Sequence, residues 1–248
     1  MKKSFYKNKV SLVLLCNVDP KNVLHTKRKN IQDRLDDFNK SLPFWLNLDF
    51  FKNIIVIENS NYHGNIFKKH IKKSKNKNKT ELIIYDGQKY NRNLGKGYGW
   101  YQQIDKVLKH SKFSKKTDYF VIVTGRYIIK NIEKMLFNLK VPFMCDITKN
   151  LTFAFSPVTL FPKFFLKKYW LKSCSKTNDS KGRTMEHQQA KALLKAISDG
   201  YEWQLPPESA EIIAISAISN TSYRRNFFHS LLLKYYSYLK KFVFEFKR

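Results

Sequence analysis

Val10-Ser-Leu-Val-Leu-Leu-Cys16 is an unbroken apolar run, stopped at once by Asn17-Val18-Asp19-Pro20. A run without polar alternation suits a strand buried on both faces, as in a parallel sheet covered by helices. Three further runs have the same character. Ile54–Ile57 closes at Glu58-Asn59-Ser60-Asn61, Leu82–Tyr85 at Asp86-Gly87, and Tyr119–Val123 passes into Thr124-Gly125-Arg126-Tyr127. Between them the period becomes helical: Ile31, Leu35, Phe38 and Leu42 share a face, and Ile132, Met135, Leu136 and Leu139 suit a shorter helix. This rhythm predicts βαβ units, hence an α/β fold with a mostly parallel central sheet. Right-handed crossovers bring the C-terminal ends of the four strands to one edge, where open α/β sheets bind ligands.

Beyond Leu139 the pattern loosens. Phe143–Asp146 and Leu151–Phe155 read as shorter strands, Lys163–Lys172 and Met185–Ser198 as helices, and Ile212–Ile218 as an apolar run of either type. The Lys/Asn tract Lys72–Lys79 reads as a solvated loop. Neither an internal repeat nor a Pro/Gly/Ser linker divides the chain. We therefore expect one domain over residues 1–222, with residues 223–248 set apart as a basic amphipathic helix.

The 248 residues include 47 Lys+Arg against 19 Asp+Glu, a formal net charge of +28. A field of that size favours an anionic partner: nucleic acid, anionic lipid or a phosphorylated substrate. Part of the lysine excess, with abundant Asn, Ile, Phe and Tyr, also fits an A+T-rich genome. Cys16, Cys145 and Cys174 are too few and too scattered for a disulfide framework or a structural zinc site, so a reducing cytoplasm is expected. No apolar stretch approaches the ~20 residues needed to span a bilayer. Membrane contact would be peripheral.

Polar residues at four strand ends on one edge point to a ligand cleft. Gly95-Lys-Gly-Tyr-Gly99 is neither the dinucleotide fingerprint nor a P-loop. Its glycines permit close backbone approach, and a helix starting near Gly99 would aim free N–H groups at an anion.

The succession strand–Glu58-Asn59-Ser60, Gly95-Lys-Gly-Tyr-Gly99 with its helix, then strand–Gly125-Arg126-Tyr127 resembles bacterial glycosyltransferases that build capsule and lipopolysaccharide chains. The resemblance covers residues 10–140, more weakly Met185–Ala196 and Leu205–Pro207. It implies a single GT-A-like (Rossmann-like) domain that moves a sugar from a nucleotide-sugar donor to a lipid-linked or polysaccharide acceptor. It also implies that Asn17, Glu58, Asn59, Ser60, Lys96, Gly97, Gly125 and Tyr127 hold the donor. GT-A folds usually carry a metal-binding Asp-x-Asp after the fourth strand; here Gly125-Arg126-Tyr127 stands there. A guanidinium can supply the charge that a leaving diphosphate needs. Arg126 with Lys96 is therefore expected in place of a metal, with manganese or magnesium as the alternative. An inverting transfer also needs a base for the acceptor hydroxyl. Glu186 is the first candidate, ahead of Asp146 and Glu208.

From Arg224 to Arg248 seven basic residues and one glutamate interleave with phenylalanines, tyrosines and leucines. Such a segment suits an anionic membrane interface, each cation near it contributing about 1 kcal/mol. Phe161–Trp170 repeats the composition and is expected as a second contact. The expected location is cytoplasmic, peripheral on the inner face of the membrane. The competing class is a basic nucleic-acid-binding α/β protein without catalysis; no helix-turn-helix, zinc or RNP-like motif supports it, and nucleic acid is not expected as a partner.

Overall fold

The structure, a computed structural model, describes residues 7–223 together with Tyr235 and Leu239, without the Ser156 side chain. Strand β1 (Val10–Cys16) lies between β2 (Asn53–Glu58) and β4 (Tyr119–Thr124), parallel to both, and β3 (Thr80–Ile84) extends the sheet beyond β2, again parallel. The four runs thus share one direction and one edge. A short ribbon pairs β5 (Ile128–Ile129) with β8 (Ile212–Ile213). On the far side of β4 come β7 (Ala154–Pro162) and β6 (Met144–Ile147), in the order β3-β2-β1-β4-β7-β6. Strand β7 runs antiparallel to both neighbours, so β6 again follows the direction of β4.

Every residue of β1 is buried because helices cover both faces. Val10, Leu12, Leu14 and Cys16 meet Phe38, Leu42 and Trp45 of α1 (Ile31–Leu46) and Phe67 of α2 (Ile66–Lys73). Val13 and Leu15 point the other way, with the core that holds Ile104 and Val107 of α3 (Gly95–His110). The same-face neighbours alternate with the strand's period of two. A short α4 (Lys112–Lys115) leads into β4, and α5 (Ile132–Phe137) joins the first core. The second core adds a helical run made of α6 (Lys163–Phe165), a π-helical turn (Leu166–Trp170) and α7 (Leu171–Cys174), and finally α8 (Met185–Ser198). Each large apolar side chain so buried contributes about 1.5–3 kcal/mol before entropy is counted.

Several expectations are corrected. Helix α3 begins at Gly95, one turn before Gly99. The strand expected over Leu151–Phe155 is displaced to Ala154–Pro162, and of Ile212–Ile218 only Ile212–Ile213 is strand. The Lys72–Lys79 tract is not a solvated loop throughout. Its first residues finish α2, Ser74 and Asn76 are buried, and Asn76 Nδ2 donates to the Leu48 carbonyl at 2.7 Å. Of the aromatic residues expected to make a second membrane contact, Phe161, Phe165, Tyr169 and Trp170 are buried in the core, and exposed Phe164 packs against Tyr201. The expected C-terminal helix lies outside the described residues except for Tyr235 and Leu239, both helical and exposed. Among the described residues no helix is long and apolar enough to cross a membrane.

Candidate functional site

The chain steps from β1 through β2 to β3, then returns to place β4 on the opposite side of β1. Strand order therefore reverses between β1 and β4. Outside the carboxyl ends of strands at such a reversal, open sheets form their ligand crevice. A cleft opens there, walled by Asn17 after β1, Asn59 after β2, and Thr124, Arg126 and Tyr127 at the end of β4. Arg34 of α1, Tyr90, and Lys96, Gly99, Trp100 and Gln103 of α3 complete it.

Five residues singled out in the sequence meet here: Asn17, Asn59, Lys96, Arg126 and Tyr127. Asn17 Nδ2 donates to Asn59 Oδ1 at 2.8 Å, joining the first two strand ends. Glu58 is fully buried and turned into its own loop. Its carboxylate accepts from the backbone N–H of Val18 (3.1 Å), Ser60 (3.0 Å) and Tyr62 (3.0 Å), and from the Ser60 hydroxyl. Glu58 and Ser60 thus shape the crevice without lining it. Gly125 is required by close approach: a Cβ there would stand 2.5 Å from Cys16 Sγ, and its carbonyl accepts from Ser41 Oγ at 2.7 Å. Gly97 is likewise a packing glycine, seating Met185 at the start of α8.

None of the three candidate bases lines the cleft. Glu208 pairs with Lys134 at 2.7 Å, and Asp146 sits on the edge strand β6 opposite Phe155; neither lines the cleft. Glu186, in the first turn of α8, is within electrostatic reach of Lys96.

Charge is distributed unevenly around the crevice. On the strand-end side, Arg126 Nη1 bonds Asp37 Oδ2 at 2.6 Å, and Arg28 Nε reaches the same carboxylate oxygen at 2.8 Å. Arg126 is therefore not the free fork expected from the sequence, because one nitrogen is already committed to a buried acid. Arg34 is buried beside them. It donates to the Asn17 carbonyl at 2.9 and 2.6 Å and to the Arg28 carbonyl at 3.1 Å, and forms no ion pair among the described residues. Burial, followed by the charge of Arg126, pushes its guanidinium down to about 9. Arg28 and Arg126 thus share one buried carboxylate, Asp37, while Arg34 is held by backbone carbonyls; buried Glu58 is taken up by its own loop, and Asp33, near Arg28, is half exposed. An excess of buried charge is costly unless a counter-ion completes it. Beside them the Thr124 hydroxyl is buried with no hydrogen-bond partner among the described residues.

The opposite side is acidic. Half-buried Lys96 is surrounded by Glu186, Asp179 and Tyr223, and burial lowers its affinity for a proton. Asp179 is a residue that sequence reasoning missed. It begins the 3-10 turn Asp179–Lys181, and burial, then the charge of Glu186, raises its carboxyl to about 6. Nothing in Asn178-Asp179-Ser180 marks it, since its partners lie on α3 and α8. Among the described residues no three His, Cys, Asp or Glu side chains gather as a metal-binding group.

Fold and cleft define an open-sheet α/β protein with a charged crevice at its strand-order reversal. No protein-family model and no curated protein sequence matches the chain. Among solved structures it is similar to a cytidylyltransferase from Leptospira borgpetersenii serovar Hardjo-bovis, with 16% identity over 82% of this chain and 77% of the other, and a TM-score of 0.41. So distant a likeness carries no assignment of activity or substrate.

Proposed function

We propose that the chain is a GT-A-like glycosyltransferase, taking a sugar from a nucleotide-diphosphosugar bound in this cleft. The acceptor is a glycan or a lipid-linked saccharide of the cell surface. One observation carries the reading: Arg28 and Arg126 on a shared carboxylate, with buried Arg34 beside them and without an ion-pair partner among the described residues, stand at the sheet's strand-order reversal. That excess suits a diphosphate, whose charge grows as the glycosidic bond breaks.

The roles follow from position. Arg126 from the end of β4 and Arg34 from α1 bring cationic groups to the cleft, and Lys96 faces them from the first turn of α3. Trp100 and Tyr90 offer aromatic faces for a nucleobase, and the Asn17–Asn59 pair offers amide groups to the nucleoside. In transfer, an acceptor oxygen bonds the anomeric carbon while the carbon–oxygen bond to phosphate breaks, its electron pair leaving on the nucleoside diphosphate. The acceptor proton passes to a carboxylate. Fixed cations do the work of a metal in this reading, so turnover survives chelation. The C-terminal segment, residues 223–248, would hold the enzyme on the anionic cytoplasmic leaflet.

The test is to incubate the protein with a panel of nucleotide sugars and membrane saccharide extract, with and without chelator, and to identify the released nucleotide. Nucleoside diphosphate with sugar-bearing product is expected, chelator or not. Pyrophosphate release would mean nucleotidyl transfer and contradict the proposal, and restoration of a chelated enzyme only by manganese would contradict its metal-independent part. Binding of oligonucleotides that collapses steeply with salt, with no response to nucleotide sugars, would favour the nucleic-acid class instead.

A further inference from the structure

We propose that the edge of the sheet opposite the cleft is a docking surface for an anionic lipid leaflet. The proposal shares that leaflet with the function proposed above but not its reaction, and it names a face of the folded domain rather than the C-terminal segment.

Topology gathers the surface. Strands β1, β2, β3 and β4 are parallel, so their starts share one edge just as their ends share the cleft. Lys9 immediately precedes β1, Lys52 precedes β2, Lys77 and Lys79 precede β3, and Lys115 and Lys116 come just before β4. Lys79 is half-buried and the others are exposed. Bonds between neighbouring strand starts hold the array: Lys52 Nζ donates to the Lys116 carbonyl at 3.0 Å and Lys79 Nζ to the Phe51 carbonyl at 3.2 Å. Lys163, at the end of antiparallel β7, reaches the Ser114 carbonyl at 2.7 Å from the same edge. An ammonium bonded to a carbonyl keeps its charge uncompensated. Lys52, Lys77, Lys79, Lys115 and Lys116 form no salt bridge among the described residues. The acids nearby are committed. Asp49 pairs with Lys75 at 2.5 Å, and Glu81 accepts from the Ser111 hydroxyl at 2.6 Å and the Lys112 N–H at 3.2 Å, which leaves exposed Asp118 against the lysines.

The chemistry of the array selects the partner. Neighbouring strands stand about 4.8 Å apart, so four strand starts spread the charge over about 15 Å of sheet edge. Its cations are lysines, point charges that attract anions without a fixed fork. The described arginines lie at the cleft or before α3 and α8, on the other edge. Nor is a ring offered on which a nucleobase could stack. Phe50 and Phe51 are buried, the Lys112 ammonium stands 5.1 Å over the Phe113 ring, and Phe164 packs against Tyr201. Charge without directional or stacking groups suits a fluid anionic leaflet, where each basic residue strengthens binding about fivefold. In this pose the 7 residues of β1 lift the cleft about 20 Å off the lipid and open it away from the leaflet.

The test is sedimentation of the full chain with phosphatidylcholine vesicles, plain or carrying about 30% phosphatidylserine, at low salt. Wild-type protein should sediment with the anionic vesicles and not with the plain ones. Lys77→Gln, Lys115→Gln and Lys116→Gln together should weaken that binding by at least about tenfold. A charge-matched variant, Lys130→Gln, Lys181→Gln and Lys191→Gln, should stay within about threefold of wild type, because those exposed lysines lie off this edge. A second measurement needs no variant: amine-reactive labelling of wild-type protein should find Lys77, Lys115 and Lys116 protected on anionic vesicles and Lys130 still reactive. Equal weakening by the two triple variants, or no protection of Lys115 and Lys116, means that net charge acts without a docking face and overturns the proposal. Wild-type protein that ignores anionic vesicles overturns it as well. So does binding of duplex DNA that depends on the same three lysines and outlasts vesicle binding as salt rises, which would assign the face to nucleic acid. Binding is read without turnover, so each of these results leaves the sugar-transfer reading to its own assay.

Discussion

The two sides of the cleft are built by opposite means. The strand-end side is cationic and rigid: Arg28 and Arg126 converge on Asp37, Arg34 is tied to backbone carbonyls, and all lie within the folded core. The helix side is acidic and half-buried, with Asp179 and Glu186 on segments that α3 admits only through its glycines. The first arrangement holds a fixed positive field, suited to an anion that gains charge during reaction. The second sets two carboxylates beside Lys96, where burial and then Glu186 raise the Asp179 carboxyl to about 6.

The comparison breaks most visibly at Asp37. Asp37→Ala leaves Arg28 and Arg126 buried without their shared acid, and removal of one member of such a network costs about 3–5 kcal/mol. Chemical denaturation should show that loss. A change under about 1 kcal/mol would mean that solvent already screens the arginines and that no buried field exists. A smaller effect is expected across the cleft. Gly95→Ala adds a methyl group at positive φ where the Asp179 carboxyl lies, and such backbone strain costs about 1–3 kcal/mol. It should also push the Asp179 carboxyl away from the start of α3, a loss that chemical denaturation would show. A stability equal to wild type would show that the close approach of Asp179 to α3 does not hold in solution.

Legibility followed burial. β1, β2 and β4 are covered on both faces and so appear as unbroken apolar runs, and their order along the chain made the parallel sheet readable. β7 was misplaced because Phe155-Ser-Pro157-Val-Thr mixes polar and apolar residues and carries a proline where a strand is not expected. Asn17, Asn59, Lys96 and Arg126 were legible as strand-end and helix-start residues, since topology alone brings those positions together. Their hydrogen-bond partners were not. Asp37 lies on a helix whose apolar face alone was legible, yet it is buried and joins Arg28, before α1, to Arg126, at the end of β4. Asp179 stayed hidden for the same reason: its environment is assembled from Gly95, Lys96 and Glu186, none of them its sequence neighbour.

The central claim is that the cationic side binds a diphosphate, and calorimetric titration with nucleoside diphosphates, without divalent metal, tests it most directly. Wild-type protein should bind at least one of them saturably. The corresponding nucleoside should bind far more weakly, and Arg126→Lys should lose at least tenfold in affinity although its charge is kept, because a lysine cannot bridge Asp37 and phosphate as a planar guanidinium does. Equal affinity for nucleoside and nucleoside diphosphate, or an Arg126→Lys variant that binds like wild type, would contradict the account.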